Sequence, residues 1–171
     1  MKKLFLLSIL TIFSAVSLYA QHEKGGLIWY TSLEQANALS QSKHKPIFAF
    51  FTGSDWCGWC HKLEADVFSK PAFITWAKKN VILLELDFPR QKQLSPELQQ
   101  QNGSLQQAFR VQGYPTIWYF TMRLDSASKK SLIDPLGSQG YPAGSEPGQE
   151  VVKFLGEANT IVAKGKMAKT K

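Results

Sequence analysis

Only two cysteines occur among the 171 residues, Cys57 and Cys60, and they stand three positions apart in the stretch DWCGWCHK, residues 55–62. A structural disulfide stabilises chiefly by closing a long loop in the unfolded chain, and a loop this short leaves it little to contribute. In an oxidising compartment a lone close pair reads as redox chemistry rather than as a staple. Disulfide exchange needs one thiolate within reach of a substrate and a second thiol close enough to displace what the first has captured. A cysteine opening a helix meets the first need, because the dipole and the unpartnered N–H groups of the first turn stabilise its thiolate. Cys60, Leu63 and Val67 recur at i, i+3 and i+7, a stripe that turns Cys60 toward a core and leaves Cys57 at the tip. Cys57 is therefore expected to be the attacking sulfur and the more exposed one, and Cys60 the resolving sulfur.

Other chemistries compete for the same residues. Cys57-Gly58-Trp59-Cys60-His61 matches the short CxxCH pattern of haem attachment, but a haem protein also needs a second axial ligand and an apolar pocket. Structural zinc needs four ligands, and only His61, His44 and His22 are available to join the two cysteines. No metal and no cofactor are expected. His61, four residues beyond Cys57, either favours the thiolate as a cation or is a plain exposed helix histidine. Trp56 and Trp59 suit an apolar lip for a peptide substrate, with partly buried packing as the other reading. Lys62 and Glu64 read as solvated helix charges.

The surrounding pattern supplies the elements that would position the pair. Residues 27–30 (LIWY) suggest a short strand, and Thr31-Ser32 followed by Glu34 and Gln35 a helix start, running to about Lys43. After Pro46, the unbroken apolar run IFAFF predicts a strand buried on both faces. The turn residues Thr52-Gly53-Ser54-Asp55 lead from it into the cysteine helix, which Ser69-Lys70-Pro71 interrupts; Pro71 fits the first position of the next helix. VILLELD, residues 81–87, gives a second buried strand, so the order strand–helix–strand implies a parallel, right-handed crossover. Residues 88–102 are polar and Gln-rich, with no firm periodicity, and predict a long connection with room for one helical turn. A short helix over 105–110, a turn at Gly113-Tyr114-Pro115, a strand over 116–122, an antiparallel strand over 130–136, a Gly/Pro-rich loop over 137–148 and an amphipathic helix over 149–163 complete the reading.

The first 20 residues carry Lys2 and Lys3, an apolar stretch over residues 4–18, and Ala20 at a plausible cut, which is the pattern of a signal peptide. The stretch is short for a spanning helix, which needs roughly 20 residues. Residues 21–163 then suit one domain with one core, and residues 164–171, with four lysines, read as a basic disordered tail. The net charge of +7 comes largely from those two ends, so no nucleic-acid partner is expected, nor stable membrane insertion once the leader is removed. A periplasmic or secreted monomer is the expectation.

From about Lys45 to Phe120 the chain resembles the thioredoxin family, in particular its secreted bacterial members. The likeness rests on GSDWCGWCHK, the LELD strand and Gly113-Tyr114-Pro115-Thr116. The resemblance implies an α/β thioredoxin fold, a mixed sheet of four to five strands with helices on both faces, and thiol–disulfide exchange with protein or peptide thiols and disulfides, together with a separate redox partner. It also implies a cis bond before Pro115, with Tyr114 and Pro115 beside the cysteines and, with Trp56, Gly58 and Trp59, available to a substrate. A thioredoxin-fold binding or chaperone module without turnover is the alternative. Two departures stand out: Phe51 occupies the place of the family's buried Asp, and Leu83 that of its partner lysine. Gly58-Trp59 replaces Gly-Pro between the cysteines.

Overall fold

The computed structural model describes residues 21–128 and 130–168, with side chains through residue 165. The expected leader, residues 1–20, and the last tail residues, 169–171, lie outside the described residues. Strand β3 (Ile47–Thr52) is the centre of the architecture. All six of its residues are buried, and its side chains alternate between two cores. Phe48 and Phe50 enter one cluster, with Trp29, Phe73, Tyr119 and Phe154; Ile47, Ala49 and Phe51 enter the other, with Leu84, Leu86, Leu105 and Phe120. A strand covered on both faces has no reason to alternate apolar with polar residues, which is why IFAFF reads as one run.

Among the described residues six strands, beginning with β1 (Gln21–Lys24), form one sheet in the order β1-β2-β4-β3-β5-β6. Strand β2 (Leu27–Tyr30) and β3 each pair parallel with β4 (Ile82–Asp87), whereas β5 (Thr116–Leu124) runs antiparallel to β3 and to β6 (Ser131–Gln139). Helices α1 (Leu33–Lys43) and α4 (Pro96–Ala108) send Ala36 and Leu105 into the second cluster. The opposite face is covered by α2 (Gly58–Leu63), the π-helical turn Glu64–Phe68 that continues it, α3 (Pro71–Asn80) and α5 (Glu150–Ala168). The first of these cores is rich in aromatic rings: Phe68 stacks on Phe73 at 4.7 Å, and Phe48 meets Tyr119 edge-on at 5.2 Å.

Several expectations are corrected. The sheet has six strands, one more than the upper bound expected, because Gln21–Lys24 forms β1, an exposed strand paired antiparallel with β2. Its sequence, QHEK, has no apolar pattern; it is a strand because Gly25 and Gly26, at φ 62° and 73°, make the tight turn that only residues tolerant of positive φ allow. The second half of the connection over 88–102 is helical instead, since α4 begins at Pro96. Ser95 caps α4 by accepting from Leu98 N, and Pro96 opens it. Its inward face escaped the periodicity test because it is polar: Asn102 donates to Asp87 O (2.9 Å), and Gln101 bridges Thr31 O and Leu33 N (2.9 and 2.8 Å). Strand β6 starts and ends later than expected, and α5 continues to Ala168, past the boundary at 163.

Candidate active site

The chain leaves β3 at Thr52 and turns through residues 53–56 into α2. Asp87, at the end of the neighbouring β4 and only 7% exposed, holds that turn, accepting from Ser54 N (2.8 Å) and Ser54 Oγ (2.7 Å) while pairing with Lys92 (3.0 Å). Trp56 closes it from the other side: its Nε1 donates to Phe88 O at 2.8 Å, and its ring meets Tyr114 edge-on at 5.7 Å. The Arg90 guanidinium lies 3.9 Å from the Trp56 ring centroid, and Arg90 N and Gln91 N donate to Asp55, holding its carboxyl below the usual range. Gly53 has no room for a side chain, since a Cβ there would stand 2.3 Å from the Trp56 ring. Asp87 and Arg90 were not singled out from sequence. Their signals, an acid ending a buried strand and a cation after a Pro, are too common to point to a loop brace.

Cys57 is the N-cap of α2, in extended conformation (φ −86°, ψ 93°), and is disulfide-bonded to Cys60 with a Cα–Cα distance of 5.2 Å. The Cys57 carbonyl accepts from His61 N (3.1 Å), and Cys57 Sγ accepts from Cys60 N (3.2 Å). The sulfur thus occupies the position of a capping oxygen, pointing at an amide of the first turn. Cys60, Leu63 and Val67 are each fully buried, as their stripe requires, and Cys57 is 5% exposed. Cys57 is the more accessible of the two by a narrow margin; in the oxidised state both sulfurs are largely covered. His61 does not face the sulfur: its Nε2 lies 2.9 Å from Ser54 O, an acceptor to which it donates, tying α2 to the turn before it.

The Tyr114–Pro115 bond is cis, and Tyr114, 57 residues after Cys57, reaches the site through Trp56 and through Phe88 at 5.3 Å. Burial pushes the Tyr114 hydroxyl up, and it accepts from Gln106 Nε2 at 2.7 Å. Gly58 is exposed with open space around it, and Trp59 is 59% exposed. Phe51 points away from Cys60, into the opposite core, where it packs on Phe88 and Phe109. The β3 residues that share a cluster with Cys60 are Phe48 and Phe50, both apolar. Lys62 and Glu64 are not free charges: Lys62 pairs with Asp66 at 2.7 Å, and Glu64 pairs with Lys24 of β1. Among the described residues, no three of His, Cys, Asp and Glu converge on a metal-sized site.

A buried strand, a braced turn, a capping cysteine and a second cysteine one turn behind it, with a cis-proline segment brought alongside, form one constellation drawn from β3, α2 and the start of β5. Comparison with known proteins agrees with it. A family model for the thioredoxin-like domain matches residues 33–123, just over half of the chain. Disulfide bond reductase DsbH of Chlamydia pneumoniae is 36% identical over 115 residues, which is 66% of this chain and 61% of that protein. Thioredoxin-related protein DsbJ of the same organism is 25% identical over 133 residues, 78% of this chain but 36% of its own length. The chain thus spans less than two thirds of either relative. A solved structure described as DsbH oxidoreductase superposes with a TM-score of 0.63 at 27% identity, covering 79% of this chain and 83% of that one. The matched segment runs from α1 into β5 and contains both cysteines and the cis-proline, and the chain belongs to the thioredoxin-like domain family.

Proposed function

We propose that the protein is a thiol–disulfide oxidoreductase of the cell envelope, acting on disulfides of proteins or peptides. The observation that carries this is the capping geometry of Cys57, whose sulfur faces the Cys60 amide while Cys60 is sealed in the core. In the reduced protein that amide and the helix dipole favour the Cys57 thiolate. The thiolate attacks one sulfur of a substrate disulfide, and the other substrate sulfur leaves as a thiolate. Cys60, losing its proton, then attacks the Cys57 sulfur of the mixed disulfide. The second substrate sulfur leaves, and the Cys57–Cys60 disulfide remains. A dithiol partner must return two electrons before the next cycle. The likeness to the Chlamydia disulfide bond reductase supports the reductive direction, and the leader-like residues 1–20 support export. Gly58, Trp59 and the Tyr114–Pro115 segment are the surfaces offered to substrate, with Trp56 bordering them under Arg90.

Trapping tests the order of events. A Cys60→Ala variant accumulates mixed disulfides through Cys57, because no internal thiol resolves them, whereas Cys57→Ala accumulates almost none. Non-reducing gels of envelope extracts read the difference. Equal trapping by both variants reverses or removes the assigned roles, and no trapping by either, with no turnover of insulin disulfides by the wild type, replaces the enzyme with a binding module. A reduction potential of the pair near thioredoxin's, about −270 mV, fits the reductive direction, and one near about −120 mV sets it aside.

A further inference from the structure

We infer that Tyr141 is a positioning residue that holds Trp59 upright as one wall of the substrate site, and that this wall selects peptides carrying a large apolar side chain next to the disulfide. The inference rests on the exchange function proposed above. Trp59 sits between the two cysteines, and a ring so exposed in water has a free face for an apolar group. Its aromatic neighbour among the described residues is Tyr141, edge-on at 5.2 Å. Tyr141 lies in the loop after β6, and it is fixed there from the cysteine helix itself. Its hydroxyl donates to Asp66 Oδ2 at 2.6 Å, the same oxygen receives Lys62 Nζ at 2.7 Å, and that ammonium stands 5.4 Å from the Tyr141 ring centroid. The preceding residue, Gly140, runs past the cis-proline: a Cβ added there would stand 3.5 Å from Pro115 O. One loop therefore reaches both the segment next to which an extended peptide would lie and the tryptophan beyond it. A Tyr–Asp–Lys cluster anchored within α2 and its π-helical continuation keeps the two at a fixed spacing. An aromatic side chain packing on a ring already held in place loses less freedom than one packing on a mobile ring.

The test uses the pre-reduced full-length protein and three oxidants: bis(2-hydroxyethyl) disulfide, and two peptide disulfides that differ only in having Phe or Ser beside the cysteine. The rate at which each oxidises the protein is followed by the change in tryptophan emission. Wild type is expected to prefer the Phe peptide over the Ser peptide by about 3- to 10-fold, the ratio that one aromatic contact provides. Tyr141→Ala reduces that ratio to near one. Tyr141→Phe keeps the ring and loses only the bond to Asp66, so it folds as wild type and lowers the ratio part of the way. Asp66→Ala, which removes the acceptor, lowers it by the same fraction, and the double variant no further than either single one. A wild-type ratio near one, a ratio unmoved in Tyr141→Ala, or a fall shared equally by all three oxidants overturns the inference while leaving exchange intact. Failure of the reduced wild type to react with any disulfide overturns the exchange function and this inference with it.

Discussion

Trp56 and Trp59 stand three residues apart in one short motif, yet the fold treats them in opposite ways. Trp56, half-buried, is fastened at several points: its N–H to the Phe88 carbonyl, its ring to Arg90 and to Tyr114, and its flank to a glycine that has no room for a methyl group. Among the described residues Trp59 has one aromatic neighbour, and more than half its surface is in water. From the sequence the two are read together, as an apolar lip or as partly buried packing. In the structure the first is a brace for the turn that delivers Cys57, and the second is what the site presents outward. Residue type alone carries little about role when the same ring can be fixed in a scaffold or left open to water.

The largest test of that contrast is stability. Trp56→Ala removes a packed ring and leaves the Phe88 carbonyl without its donor, with an expected cost of about 3 kcal/mol, whereas Trp59→Ala stays within about 0.5 kcal/mol of wild type. Chemical denaturation of the oxidised proteins measures both, and equal losses erase the distinction. Next in size is Gly53→Ala, which forces a methyl group against the Trp56 ring and is expected to cost about 1–3 kcal/mol. The same substitution in a Trp56→Leu background costs clearly less, because the obstacle has gone; an unchanged cost places the constraint in the backbone instead.

The smallest effect belongs to the outward side and depends on pH. The Asp66 carboxyl is held below its ordinary value, first by the bond from Lys62 and then by that from Tyr141. A carboxyl whose native pKa is depressed adds stability above its unfolded value, near 3.9, and loses it as pH falls through the lower native value. Wild type is therefore slightly more stable than Asp66→Asn at pH 7, and the two converge below about pH 4. The site is largely solvated, so screening keeps the gap small, and a gap that grows on acidification contradicts the bonding described.

The elements that the sequence made legible are those where one local signal decides. IFAFF had to be covered on both faces, the spacing of Cys60, Leu63 and Val67 had to be a helix face, and Pro71 had to open a helix. The elements it hid lack such a signal. Strand β1 is a strand through its partner, and α4 turns inward the polar residues Gln101 and Asn102, whose bonds to Thr31, Leu33 and Asp87 no periodicity can register. Tyr141, in a stretch of glycines and prolines, looked like loop filler.

The pair Cys57–Cys60, its place at a helix start and the burial of Cys60 with Leu63 and Val67 were set by spacing, because a helix turn fixes which residues share a face whatever surrounds it. Tertiary structure alone decided what braces that pair and what stands beside it. Asp87 reaches Ser54 across 33 positions, and Tyr141 reaches Asp66 across 75. Contacts at such separations depend on strand register and on how loops cross the end of the sheet. Those are properties of the whole packed chain, and a local pattern of residues contains no record of them.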